Sequence, residues 1–203
     1  MTDEQVEVGQ YLAVPFNPWI GNAQKNETIL DGCANLVNFF PIPRSFADRR
    51  VQVAAWLMDP NSLFWEVWYH GQIVGILGVT QIVRGLDAAA HFAFFDRQLL
   101  GRRQLVLTMM GWCFRNLELR RLTVEIPDYL GPLIRFARAK LGFRYEGETR
   151  FAAATDQNKH GIEAAPHWVA WWGSRKERAH WNGTEWSDVR RLRLLREEFL
   201  TED

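Results

Sequence analysis

Leu133-Ile134-Arg135-Phe136-Ala137-Arg138-Ala139-Lys140-Leu141-Gly142-Phe143, followed by Arg144-Tyr145-Glu146-Gly147-Glu148-Thr149-Arg150, is the stretch that decides the fold. Leu133 to Leu141 predicts a helix, and Gly142 stands in the usual position of a left-handed C-cap. Phe143 to Phe151 predicts a strand. A helix that ends on Leu-Gly-Phe and passes at once into a strand places one helix–strand unit late in the chain. Upstream of it, Leu122 to Ile126 is a short β-branched and apolar run that Pro127 ends, so a strand precedes the helix as well.

Further upstream, three strand-like segments follow one another. Leu63 to His70 is apolar in both of its alternating sets, which predicts a strand covered on both faces. Gly71-Gln72 turns the chain. Ile73 to Val83 follows, with Gly75 and Gly78 suggesting a bend or a close backbone approach. Arg84-Gly85-Leu86-Asp87 turns it again, and Ala88 to Phe95 is the third strand. A polar loop, Asp96 to Arg103, leads into a helix over Gln104 to Leu117, where Val106, Met110, Cys113 and Leu117 share one face. Ahead of the strands, Ser45 is a candidate N-cap for an amphipathic helix from Phe46 to Met58 that Asp59-Pro60-Asn61 stops. Tyr11 to Gly21 predicts a short strand and a loop. Beyond the deciding stretch, His167 to Trp172 is a strand candidate and Asp188 to Phe199 a charged amphipathic helix. Meander strands followed by helix-connected strands imply a mixed α/β (α+β) sheet with helices on both faces.

Composition bounds the function. The 203 residues suit a single domain, 1–203. Lys plus Arg equals Asp plus Glu at 24 each, so the whole-chain charge gives no reason to expect nucleic acid or an anionic membrane as partner. The N-terminus lacks the basic start and apolar core of a signal peptide, and no apolar run reaches membrane-spanning length. With only Cys33 and Cys113, a disulfide framework is not indicated. The expectation is a soluble, cytoplasmic protein. No metal-ligand spacing is visible among His160, His167 and His180. Of the ten tryptophans, Trp65, Trp68 and Trp112 are expected in the core. Trp168, Trp171, Trp172, Trp181 and Trp186 cluster late in the chain, as a packed sheet edge or an aromatic surface for a partner.

The order of elements and two motifs resemble the GNAT superfamily of N-acetyltransferases over about residues 63–151. In that family the loop after the fourth strand reads Gln or Arg, two residues, Gly, one residue, then Gly or Ala. Gln98-Leu99-Leu100-Gly101-Arg102-Arg103 matches the first two fixed positions and carries Arg103 at the third. The second motif is the helix ending in Lys140-Leu141-Gly142-Phe143 and the strand after it. The resemblance implies a mostly antiparallel sheet with a splayed parallel pair in its middle, formed by the strands Ala88–Phe95 and Leu122–Ile126. It implies acetyl-CoA or coenzyme A as co-substrate, held by Phe94, Phe95, Gln98, Leu99, Leu100, Gly101, Arg102, Arg103 and Gln104. The physical logic is anion capture: backbone N–H groups at a helix start face the pyrophosphate, and glycine lets it approach. Arg103 keeps its N–H and can add a charge-assisted bond or crowd the site.

Two departures from the family bear on chemistry. Ala137 stands where the family often has a tyrosine acid. Pro127-Asp128-Tyr129-Leu130-Gly131 stands where it often has an asparagine. His91 and Glu125, on the two strands of the parallel pair, are candidate bases for an attacking ammonium; taken individually, each is better explained as a sheet residue, His91 hydrogen-bonded and Glu125 paired with a neighbouring arginine. Tyr129 is a candidate replacement for the acid, or a packing residue. The function implied is acetyl transfer from acetyl-CoA to an amine of unknown identity, small molecule or protein, with a homodimer kept open. The rival, favoured by Arg103 and Ala137, is a non-enzymatic binding or assembly module on the same fold. A third reading is modification of a nucleic-acid base, against which the neutral charge argues.

Overall fold

The computed structural model describes residues 5–19, 23–36, 45–95, 101–146, 171–172, 175–181 and 186–200. The chain is mixed α/β with a mostly antiparallel sheet that holds one parallel pair. It forms two compact units, Met1–Leu122 and Thr123–Asp203.

The first unit holds β1 (Val6–Val8), β2 (Tyr11–Pro15), α1 (Ala23–Asn35), α2 (Phe46–Leu57), β3 (Leu63–Tyr69), β4 (Gln72–Val83), β5 (Asp87–Phe94) and α3 (Arg102–Asn116). Its strands pair antiparallel in chain order from β1 to β5. The tight β3–β4 connection is made by His70 and Gly71, both at positive φ. Arg120 and Arg121 donate their N–H groups to the Leu86 carbonyl, 3.0 Å each, and the Arg121 guanidinium donates to Asp87 Oδ2 at 2.5 Å. The next strand therefore starts beside the start of β5.

Both faces of this sheet are covered, as the doubly apolar β3 requires. On one face Phe64, Ile76 and His91 meet Cys33 of α1 and Val53, Trp56 and Leu57 of α2 around a small cavity. On the other, Trp65, Leu77, Ala90 and Phe92 meet Met109, Met110 and Cys113 of α3. Trp65 packs edge-on against Trp112, ring centroids 4.9 Å apart. Ser45 caps α2, its side chain accepting from the Asp48 N–H at 3.1 Å. Helix α1 is not among the elements that the sequence pattern predicts. It buries Ile29, Cys33 and Ala34, and it approaches the sheet through Gly32, where a Cβ would lie 2.6 Å from the Phe95 ring.

The second unit holds most of β6 (Arg121–Pro127), a 3-10 turn (Asp128–Leu130), α4 (Gly131–Leu141), β7 (Arg144–Tyr145), β8 (Trp171–Trp172), β9 (Arg175–Trp181), β10 (Trp186–Leu195) and α5 (Arg196–Leu200). Gly142 ends α4 at φ +78°, as the sequence predicts. The helix expected over Asp188–Phe199 is a strand through Leu195, followed by the five residues of α5. Nonlocal pairing overrides the local pattern: β10 pairs antiparallel with β9 through Trp186–Arg190 and with β7 through Leu192 and Arg193. Arg193 is 4% exposed and is held by Glu198 of α5 at 2.7 Å. Of the strand expected over Phe143–Phe151, Arg144 and Tyr145 form β7, Phe143 and Glu146 stand outside it, and 147–151 lie outside the described residues; of that expected over His167–Trp172, β8 is described and 167–170 lie outside the described residues.

Candidate active site

The start of α3 carries the elements of an anion site. Gly101 is its N-cap at φ +77°, a conformation that favours glycine. No side chain caps the helix and no acidic residue stands in its first turn; Arg102 and Arg103 stand there instead. Helix N-terminal N–H groups and the helix dipole both favour an anion at such an end. The Arg102 guanidinium lies 5.4 Å from the centre of the Phe94 ring. The Phe95 N–H donates to the Val74 carbonyl at 2.8 Å, which fixes the end of β5. Arg103 and Gln104 are exposed. Gln98, Leu99 and Leu100 lie outside the described residues. Of the predicted cofactor residues, the structure thus groups Gly101, Arg102 and Phe94.

His91 points to the α1–α2 face of the sheet, among Phe64, Trp56, Leu57 and Cys33. Its Nε2 shares a 2.8 Å hydrogen bond with the Thr80 hydroxyl. Burial disfavours the imidazolium and pushes the His91 pKa down to about 4. The ring stays neutral at physiological pH and is a weak proton acceptor there.

In the second unit, Glu125 is exposed on β6, with its Oε1 3.9 Å from Arg191 Nε. The same nitrogen lies 3.4 Å from Glu146 Oε2. Tyr129 is half-buried in the 3-10 turn, and burial raises its pKa above the ordinary phenol value. The phenol keeps its proton through neutral pH, so it can donate one. Its neighbour Asp128 accepts from Arg190 Nε at 2.7 Å. Ala137 is 3% exposed in the core of this unit. In the sequence, Arg190 and Arg191 read only as charges on a helix. The partner of Arg190 lies 62 positions away, and no local signal links the two.

Among the described residues no group of three or more His, Cys, Asp or Glu could hold a metal ion, and no helix is long and apolar enough to cross a membrane.

Neither a protein-family model nor a curated protein matches the sequence. Solved structures do match in fold. A Chromobacterium violaceum protein assigned to the GNAT family of acetyltransferases superposes with a TM-score of 0.66 at 14% identity, over 98% of this chain and 89% of that one. Spermidine N-acetyltransferase from Vibrio cholerae, in a complex with CoA and spermine, superposes with a TM-score of 0.64 at 13% identity, over 94% of this chain and 98% of that one. The chain therefore has the GNAT fold. At this identity the likeness is one of architecture.

Proposed function

We propose that the protein transfers an acetyl group from acetyl-CoA to an amine by direct attack. The observation that carries the reading is the start of α3, where a left-handed Gly101 leaves the helix without a side-chain cap beneath two arginines. Cations at a helix N-terminus oppose its dipole, and Arg102 and Arg103 are easier to understand there with an anion between them. The residues fit the pyrophosphate of coenzyme A: Gly101, Arg102, Arg103 and Gln104 would hold it, with Phe94 beneath Arg102 and with Phe95, Gln98, Leu99 and Leu100 completing the motif. Bound acetyl-CoA would supply the activated thioester. Proximity would provide most of the acceleration.

Of the two candidate bases, Glu125 is exposed on β6, where an incoming amine can reach it, while His91 faces the packed α1–α2 side of the sheet and burial keeps its imidazole a weak proton acceptor. Tyr129 is assigned the acid role that the buried Ala137 position lacks. The acceptor class follows the fold neighbours only as far as an amine; the Vibrio cholerae enzyme was crystallised with spermine.

Calorimetric titration with acetyl-CoA and with CoA tests the reading. Wild type is expected to bind both, and Gly101→Glu to bind neither while melting as a folded protein. Absence of any heat or thermal shift at millimolar acetyl-CoA removes the enzyme reading and leaves the binding module on the same fold.

A further inference from the structure

The turn that carries Tyr129 is three residues long, Asp128–Leu130, wedged between β6 and α4. Neither its own start at Pro127 nor the start of α4 at Leu130 has a side-chain cap. A single 3-10 turn without caps has little local reason to keep one conformation. It has a tertiary anchor instead. Arg190 of β10 donates through Nε to Asp128 Oδ1 at 2.7 Å, with both side chains about a third exposed or less. The Arg190 guanidinium is in turn 5.8 Å from the centre of the Tyr145 ring, and Arg138 of α4 is 4.2 Å from the same ring. The aromatic ring thus collects an arginine from each of two elements next to the turn. Charge-assisted bonds of this length are stronger than neutral ones, and a guanidinium set on a ring loses less freedom when it makes them.

We propose that Arg190 is a positioning residue for Tyr129: by gripping Asp128 it fixes the turn on which the phenol stands. This rests on the assignment of Tyr129 as the acid in acetyl transfer. Charged groups at the turn and beside it include Asp128 itself, Arg190 from β10 and Arg135 from α4, whose Nη1 lies 3.4 Å from where a Cβ on Gly131 would stand, with Arg138 of α4 on the Tyr145 ring.

The test reads Tyr129 directly. In protein labelled with 13C at the tyrosine ζ carbon, the resonance lost in Tyr129→Phe identifies the residue, and its chemical shift is followed against pH. In wild type the midpoint is expected above the ordinary phenol value. In Arg190→Ala, release of the turn exposes the phenol and brings the midpoint down. Loss of a nearby positive charge alone would drive it further up, so the direction separates positioning from plain electrostatics. Arg190→Gln keeps the stem against Tyr145, removes the charged fork, and serves should the alanine variant not fold. Arg190→Lys is expected to restore part of the wild-type midpoint. With acetyl-CoA and spermine as substrates, kcat of Arg190→Ala is expected to fall about tenfold to a hundredfold, with KM for acetyl-CoA little changed. A midpoint that rises or stays in both Arg190→Ala and Arg190→Gln overturns the proposal. The acid role is read separately: full turnover in Tyr129→Phe would overturn that assignment and the kcat effect claimed here, while the titration still decides whether Arg190 holds the turn.

Discussion

The Nζ of Lys25 on α1 lies 2.5 Å from Oε1 of Glu66 on β3. Glu66 is 2% exposed, and its other oxygen accepts from Trp68 Nε1 at 3.0 Å. The ammonium also lies 5.6 Å from the centre of the Phe16 ring. A buried pair of this kind is destabilising to break and nearly neutral to replace whole. Lys25→Met is therefore expected to destabilise the fold by about 3–5 kcal/mol, and Lys25→Met with Glu66→Leu to recover most of that loss. Urea unfolding of the two variants checks it; equal losses would show that the pair carries no mutual dependence.

His91 gives the fold a pH dependence. Its folded pKa, about 4, lies below the ordinary histidine value of 6.5. Between those values the unfolded chain binds the extra proton, so stability rises with pH there. The contribution is fully present above pH 6.5 and is lost as pH falls toward 4. Its size is about 3 kcal/mol. Unfolding at pH 7 and at pH 4.5 is expected to show a smaller drop in His91→Gln than in wild type, by about 2 kcal/mol. Identical drops would remove His91 from the pH response.

Gly75 and Gly78 on β4 differ in what surrounds them. A Cβ on Gly75 would lie 2.5 Å from the Ala93 carbonyl oxygen, a backbone atom of the paired strand. A Cβ on Gly78 would meet the Phe64 ring at 2.2 Å, a side chain that can turn. Overpacking typically costs about 1–3 kcal/mol. Gly75→Ala is expected at or above the top of that range and Gly78→Ala below it. Thermal melts rank the two, and the reverse order would contradict the close β4–β5 approach as the cause.

Cys33 and Cys113 are both buried, and burial pushes each thiol up to about 12. The thiolate is the reactive form. Native protein at pH 8 is expected to resist iodoacetamide, and protein in urea to gain two adducts by mass spectrometry. Labelling of the native form at the same rate would show that the core opens.

What the sequence conveyed was local. Ser45 as an N-cap, the glycine after Leu141 and the three-strand meander are short-range signals, and all stand where the sequence puts them. Helix α1 escaped because its apolar positions are few: Ile29, Cys33 and Ala34 stand among Gln24, Lys25, Asn26, Glu27 and Asp31, with Gly32 weakening the helical signal. Asp188 to Phe199 reads as a charged amphipathic helix, yet the chain runs as β10 through Leu195. The alternation of Leu192 and Leu194 around a buried Arg193 becomes decisive only once Glu198 and the strands β7 and β9 are in place. At the candidate site, the family motif sets Gly101 in the loop before a helix, and Gly101 is the N-cap of α3. The arginines that hold Asp128 and flank Glu125 are not legible in the sequence, since those contacts join positions more than sixty residues apart, and the Thr80–His91 bond depends on the register of the β4–β5 hairpin.

The seat of the Phe95 ring on Gly32 ties a helix position to the last residue before the motif loop. Residues 32 and 95 are therefore one choice and not two. A descendant of this chain can gain bulk on the helix only after the ring has given way to something smaller, and a smaller residue at 95 frees position 32 to vary. The pair predicts its own history: across related sequences, size at one position should fall as size at the other rises.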